Sequence, residues 1–259
     1  MNAVAYAWHS LATLRFVRVV AVSAVALSIA GAAVLSLALA AVPGAGLRPD
    51  GMLVTLLRTN MVVPIAAAAL AVAAVGSDVG RGTVLPALLR ARGRDRAWLA
   101  RLAAACSVAA LLALVCVAGT VGVVTAVAGP VSVDVVAATA AGVVTLALGW
   151  ACVGVGFGSV VRHQFGAIAL PVVLAYIVEP IVRTSAAFGP EQLRAVSAYL
   201  PFSSGVELVR GNAATARTII ESTGGWHASA AVFVVFALAV AGVGLVVFRR
   251  ADLIPTDVA

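Results

Sequence analysis

Few side chains within the apolar stretches of this 259-residue chain could carry chemistry, and Glu179 and Arg183 are foremost among them. The two residues are four positions apart with the acid first, which is the favourable order for an ion pair within a helix. An ionisable group inside an apolar stretch also suits gating or contact with a substrate. The sequence leaves a local ion pair and a functional contact as alternatives for Glu179.

Nucleotide and metal chemistry find little support in the residue types. A phosphate-binding loop requires a lysine, and the chain contains none, so we expect no ATP hydrolysis by this chain alone. The histidines lie in three separate segments, and the cysteines fall in apolar stretches without a C-x-x-C pair, which favours free thiols over a disulfide or a metal site. These residues are His9, His163, His227, Cys106, Cys116 and Cys152.

Two classes of membrane enzyme are disfavoured for similar reasons. A phosphatidyltransferase needs clustered carboxylates to hold its metals, and the basic segment that follows the second apolar stretch offers only Asp78 and Asp95. A serine hydrolase needs a serine, a histidine and an acid brought together, and the sequence has no G-x-S-x-G motif.

The elements that must position these residues are membrane-spanning helices. Hydrophobic residues make up 63% of the chain and charged residues only 10%, too little polar surface to cover a soluble core. Apolar runs of about 20 residues, enough to cross the hydrocarbon core as a helix, occur six times. We predict an all-α polytopic membrane domain over 1–259, with spans at about 19–42, 60–77, 99–127, 134–161, 165–185 and 228–248.

Two details of these helices bear on packing. The first residues, 1–18, are amphipathic and predict a helix lying in the membrane interface, whereas a cleaved signal peptide is disfavoured because the apolar run that follows is too long. Gly154 and Gly158 lie one turn apart on a predicted span, which favours close helix packing within the chain, with a dimer contact as the alternative.

The distribution of arginine predicts the orientation. Six of the seventeen basic residues lie in 78–101, between the second and third spans, and others flank the first, fourth and sixth spans on the same side. By the positive-inside rule this side, with both termini, is cytoplasmic. The net charge of +7 then reflects topology and contact with anionic headgroups of the bilayer, and we expect no nucleic-acid partner because no separate basic domain exists.

The order of features resembles the permease subunits of type 2 ATP-binding-cassette exporters. The resemblance covers the whole chain and is carried by three stretches: 76–101, 154–169 and 198–201. In such permeases the second span is followed by an acidic residue, a Gly-Thr or Gly-Met step, a short helix and a proline-basic turn ending at a lysine. Here Asp78, Gly82-Thr83, a predicted helix around Leu85–Leu89, and Arg101 occupy those places, and Arg92-Gly93-Arg94 replaces the proline-basic turn.

The resemblance implies that 78–98 forms a cytoplasmic coupling segment seated on an ATPase subunit. Asp78 suits the N-cap of its helix, leucines suit the apolar contact, and arginines suit ion pairs with the partner or lipid phosphates; selection for topology alone is the rival explanation of the arginines. The expected docking residues are Asp78, Arg81, Leu85, Leu88, Leu89, Arg90 and Arg92, with Arg162 and His163 as a second cytoplasmic contact.

The predicted external loop, 186–227, holds two short helical stretches, Pro190 to Tyr199 and Phe202 to Val209. The resemblance implies that this helix pair dips into the outer leaflet and closes the outer end of a pathway, while an ordinary loop on the membrane surface is the alternative. The residues of this candidate outer gate are Glu179, Arg183, Pro201 and Phe202.

The resemblance therefore implies a plasma-membrane permease subunit that exports its cargo. ATP and Mg²⁺ would bind the separate ATP-binding-cassette ATPase, no cofactor would bind this chain, and a second permease copy or a related permease would complete the pathway. Spans of alanine, valine and leucine with only 6% aromatic residues favour an apolar or amphipathic cargo, such as a drug, natural product, lipid or peptide. The alternatives are a non-transporting membrane anchor or sensor and a secondary carrier.

Overall fold

The computed structural model describes residues 3–41, 48–80, 93–161, 163–192, 197, 199–210 and 225–250, and the side chains of these except 77–80, 210 and 225–227. The described chain is helical. The helices are α1 (Ala3–Thr13), α2 (Arg15–Ala41), α3 (Pro49–Thr59), α4 (Val62–Gly80), α5 (Arg94–Ala128), α6 (Val133–Val160), α7 (Gln164–Val173), α8 (Glu179–Ala187), α9 (Pro201–Arg210) and α10 (Gly225–Arg250), with a π-helical turn (Leu174–Val178) between α7 and α8.

Six helical segments are long and apolar enough to cross a membrane, which confirms the all-α polytopic fold predicted from the sequence. The protein is thus a multi-pass membrane protein by the length and composition of its helices. The segments are Arg15–Ala41, Pro49–Gly76, Arg94–Ala128, Val133–Val160, Gln164–Ala187 and Ala228–Arg250.

The second segment is longer than the predicted 60–77 because a separate helix, α3, precedes it. Pro49 occupies the first turn of α3, where its missing N–H has no consequence. The chain is extended at Asn60, whose side-chain oxygen accepts a hydrogen bond from the Val62 N–H and so caps α4. The amide of the same side chain donates to the Ser28 hydroxyl on α2, which fixes the break against the first span.

The N-terminal helix is also shorter than the predicted 1–18. α1 ends at Thr13 and α2 begins at Arg15, so the arginines at positions 15 and 18 belong to the first span. The Arg18 guanidinium donates to the Thr13 carbonyl oxygen at 3.2 Å and closes the corner between the two helices.

Small residues let the central helices approach closely. α4 is buried along most of its length and packs on α6, where a side chain at Gly154 would lie 2.6 Å from the carbonyl oxygen of Ala68. Gly158 faces Val72 in the same way, so the structure confirms the packing of this glycine pair within the chain. On another face of α6, the backbone at Gly156 meets that of α10 at Gly244.

The fifth segment is not a regular helix. Pro171 lies inside α7, and the Glu179 N–H donates to the carbonyl oxygen of Leu174, five residues earlier, across the π-helical turn. Pro180 follows directly, and the ring of a proline clashes with the carbonyl four residues earlier in a regular α-helix. The wider turn makes room for that ring and sets the direction of the Glu179 side chain.

Candidate functional site

Side-chain bonds between distant parts of the chain cluster at the two ends of the helical bundle. We call one the α9 end, which holds α3, α8, α9 and the connection between α5 and α6. The other is the α1 end, which holds α1, the start of α5 and the last turn of α10. Residues selected from the sequence occur at both ends.

Glu179 is the central residue of the α9 end. Its side chain is buried, and its carboxylate accepts hydrogen bonds from the backbone N–H groups of Phe202 and Ser203 at 2.9 and 2.7 Å. The Ser203 hydroxyl donates a third bond at 2.8 Å. A carboxylate at a helix N-terminus satisfies N–H groups that have no partner within the helix and interacts favourably with the helix dipole. Glu179 therefore caps α9 from a residue 22 positions before its start.

Of the two alternatives for Glu179, this geometry excludes the local ion pair with Arg183. The oxygens of Glu179 turn toward α9, and Arg183, one turn further along α8, is exposed. The reason is that three donors from α9, two of them backbone groups that must be satisfied when buried, outcompete one exposed guanidinium. Of the four candidate gate residues, the structure brings together Glu179, Pro201 and Phe202, and leaves Arg183 at the surface.

An aromatic cluster lies beside the Glu179 cap. The Phe202 ring lies 4.9 Å from the Trp150 ring and contacts the Phe236 ring edge-on at 5.3 Å between centroids. Trp150 also stacks on Tyr176, a residue of the π-helical turn, at 6.1 Å. The cluster joins α6, the π-helical turn, α9 and α10, so a displacement of α9 disturbs side chains on three spans. The sequence analysis missed it because its members are far apart in the chain.

Two further bonds hold the α9 end. Arg58 at the end of α3 pairs with Glu207 on α9 at 3.2 Å, with both side chains partly buried. Asp50 at the start of α3 accepts a hydrogen bond from the Ser132 N–H, just before α6, at 2.8 Å. Short α9 is therefore fastened at its first turn by Glu179 and at its second turn by Arg58.

The α1 end is held by charged residues. Both carboxylate oxygens of Asp95, in the first turn of α5, accept hydrogen bonds from the Arg249 guanidinium at 2.7 and 2.8 Å. Arg94 donates to the Arg249 carbonyl oxygen at 2.6 Å. The start of the third span is thereby tied to the end of the sixth.

Behind this surface pair lies a buried layer. The Trp98 indole N–H donates to the Ser159 hydroxyl on α6 at 3.0 Å. Arg101 is buried with its guanidinium 5.3 Å from the centre of the Phe248 ring, a cation–π arrangement. In the predicted coupling pattern Arg101 closes the cytoplasmic segment, whereas in the structure it is the eighth residue of α5 and packs against α10.

Most of the predicted docking residues lie outside the described part of the chain, namely Arg81, Leu85, Leu88, Leu89, Arg90 and Arg92, and so does Arg162. The backbone of Asp78 lies in the last turn of α4. The prediction that a new helix begins at Asp78 is therefore wrong, because the helix of the second span continues through this residue. His163 is exposed and caps α7, its Nδ1 accepting from the Gly166 N–H at 3.4 Å. These docking roles remain predictions.

The two ends offer hydrogen bonds and ion pairs that connect helices. Within the described ranges no group of three or more histidine, cysteine or acidic side chains is arranged to hold a metal ion. No protein-family model matches the chain, and no curated protein matches it either.

Proposed function

We propose that this chain is the membrane-spanning permease subunit of an ATP-driven exporter in the plasma membrane. The observation that carries the proposal most is the buried Glu179 carboxylate, which fastens a short helix across one end of the bundle. A helix held by a few directional bonds, next to a span broken by a π-helical turn, is an element that can open and close. In this proposal the α9 end is external and is the outer gate.

The charge distribution supports the orientation. Among the described residues the α1 end carries Arg15, Arg18, Arg94, Arg96, Arg101, Arg249 and Arg250. The described part of the α9 end carries Arg48, Arg58, Arg183 and Arg210. The more basic end is the cytoplasmic one by the positive-inside rule.

The residue types support a separate source of energy. With no lysine, the chain lacks a phosphate-binding loop of its own. In this proposal a separate ATP-binding-cassette ATPase binds ATP and Mg²⁺. The ATPase docks on the coupling segment, 78–98, at the α1 end. Because Asp95 and Trp98 tie the end of this segment to α10 and α6, a push on the segment moves three spans together. A second permease completes the pathway for an apolar or amphipathic cargo.

Co-purification with the ATPase tests this proposal. A candidate ATP-binding-cassette ATPase is co-expressed with the tagged permease, and ATP hydrolysis is measured on the purified assembly and on each subunit alone. We expect the Leu88→Asp/Leu89→Asp variant to insert normally but to lose the ATPase, because unpaired charge buried at a packed contact is strongly unfavourable.

The matched control is Arg92→Gln, which removes a charge from the same segment. It should weaken the assembly only slightly and in a salt-dependent way, as is usual for exposed ion pairs. Equal ATPase recovery with the double-Asp variant and the parent would contradict docking through this segment. Hydrolysis by the permease alone would contradict the division of labour.

A further inference from the structure

A groove whose described lining residues are all apolar or aromatic lies between α1, α2 and α5, in the part of the bundle toward the α1 end. Its volume is about 470 Å³, within the range of roughly 300–1,000 Å³ that is usual for small-molecule sites. The lining residues are Trp8, Ala21, Val22, Val25, Ala26, Val108, Leu111, Leu112 and Val115.

The groove lies at the depth of lipid chains. Val22 and Ala26 are seven and eleven residues beyond Arg15, which is about 10 to 17 Å along the helix axis. That interval lies near the midplane of a hydrocarbon core about 30 Å thick. An empty apolar groove facing hydrocarbon forfeits dispersion contacts, so an alkyl chain is the occupant that its chemistry fits.

Positive charge lies at the mouth of the groove. Arg18 is four residues before Val22 and seven before Val25, and Arg15 is seven before Val22, so both arginines share the groove-lining face of α2. Both side chains are exposed, and helical side chains lean toward the N-terminus, which here is the membrane surface. Arg18 uses one N–H on the Thr13 carbonyl and retains others for a ligand.

No opposing carboxylate lies on the two N-terminal helices, because the described residues of α1 and α2 include no acidic side chain. On α5, the third wall, Asp95 already has both oxygens engaged by Arg249. Trp8 forms the remaining edge. Its indole N–H donates to Ser107 on α5 at 2.7 Å, which fixes the ring beside the groove at the depth where tryptophan is enriched in membrane proteins.

We propose that this groove is a binding site for one anionic phospholipid of the leaflet at the α1 end. One acyl chain fills the groove, and the phosphate lies against Arg15 and Arg18. The inference requires only that the chain is inserted in a membrane, and it is independent of the proposed transport function.

Native mass spectrometry of the purified protein tests the site. The full chain is incubated with equal amounts of dioleoyl phosphatidylglycerol and dioleoyl phosphatidylcholine, and retained lipid is counted. We expect the parent to retain phosphatidylglycerol preferentially. Arg15→Gln/Arg18→Gln should lower that preference roughly fivefold per arginine while retention of both lipids persists. Unchanged preference in this variant would overturn the headgroup assignment.

Filling the groove tests the chain site. Ala26 is exposed, so Ala26→Phe should fold and exclude the alkyl chain, which lowers retention of both lipids. The control is Ala38→Phe, the same change at an exposed position of α2 outside the groove, which should retain lipid like the parent. Leu111→Ser, which makes the wall polar without adding bulk, gives a second measurement if Ala26→Phe is poorly expressed. Parent-like retention of lipid by the groove variants would overturn the proposal. The same spectra report the oligomeric state, and a groove variant that loses self-association but keeps its lipid would also overturn the proposal, in favour of a second copy of the chain as the occupant.

Discussion

Glu179 satisfies three donors at the start of α9, one of them buried and two partly buried. Replacing it with alanine should lower the stability of the protein by about 1–3 kcal/mol, since a buried donor that loses its acceptor retains its full desolvation penalty. Glu179→Gln keeps one acceptor oxygen and should lose less. The measurement is the apparent melting temperature in detergent, followed by the fluorescence of the four tryptophans, which include Trp150 beside the cap.

The matched control for this series is Glu191→Ala, which removes an exposed carboxylate from the same end of the molecule. It should leave the melting temperature near that of the parent, because isolated surface changes are usually within about 0.5 kcal/mol. If Glu179→Ala melted at the same temperature as Glu191→Ala, the capping role of Glu179 would be refuted.

Two glycines provide a second test at the residue scale. A side chain at Gly142 would clash with the backbone carbonyl of Leu208 on α9, which cannot move aside without displacing that helix. We expect Gly142→Ala to destabilise the protein by about 1–3 kcal/mol. Gly122→Ala has open space and should be neutral or stabilising, since alanine favours a helix by roughly 0.5–1 kcal/mol over glycine. Equal melting temperatures for the two variants would argue against this close approach.

At the scale of elements, the start of α5 makes two kinds of contact: an exposed ion pair with α10 through Asp95, and buried packing through Trp98, which donates to Ser159 on α6. Asp95 and Arg249 are about half exposed, so Asp95→Asn should reduce the melting temperature only slightly, with a difference that fades at high salt. Trp98 is buried, and Trp98→Ala should cost about 3–5 kcal/mol through the cavity that it leaves. Thermal melting at low and high salt distinguishes the two effects, and a larger loss from Asp95→Asn would reverse this assignment.

Hydropathy alone located the six spans, because the period and length of apolar helices are local properties of the sequence. It missed α3, since Asp50, Gly51 and Arg58 make that stretch too polar to stand out from a loop. Glu179 was selected correctly as an unusual residue, but its partner was not. An acid and a base four residues apart suggest a local ion pair. The backbone N–H groups that bind the Glu179 carboxylate instead lie more than twenty residues away, and no sequence pattern indicates them.

The whole molecule divides into a tight group of helices and others that are held more loosely. α4, α6 and α10 approach through glycine and alanine and share backbone contacts, so they should move as one body. α2 and the fifth segment leave most of their surface outside the bundle, where lipid or a partner covers it. Any opening of the bundle is therefore expected at these two segments and at α9, which the fifth segment holds through Glu179.

Orientation is tested on the whole molecule with single cysteines. In a background with Cys106, Cys116 and Cys152 replaced by alanine, we would introduce Arg96→Cys at the α1 end and Phe188→Cys at the α9 end, both at exposed positions. An impermeant thiol reagent added to intact cells should label Phe188→Cys, and only lysed cells should permit labelling of Arg96→Cys. Labelling of both in intact cells would contradict the two-sided arrangement.

The alanine-rich second span has a consequence for how the protein is made. Seven alanines of α4 are buried by neighbouring helices: Ala66, Ala67, Ala68, Ala69, Ala71, Ala73 and Ala74. Because alanine buries little area, the helix gains little from lipid alone. Its main neighbour, α6, ends about 80 residues later, which at ~5–20 residues per second is a delay of roughly 4 to 16 seconds of synthesis. During that interval the nascent second span depends on α2, on the insertion machinery and, once it is made, on α5, which makes the interval a vulnerable step in biosynthesis.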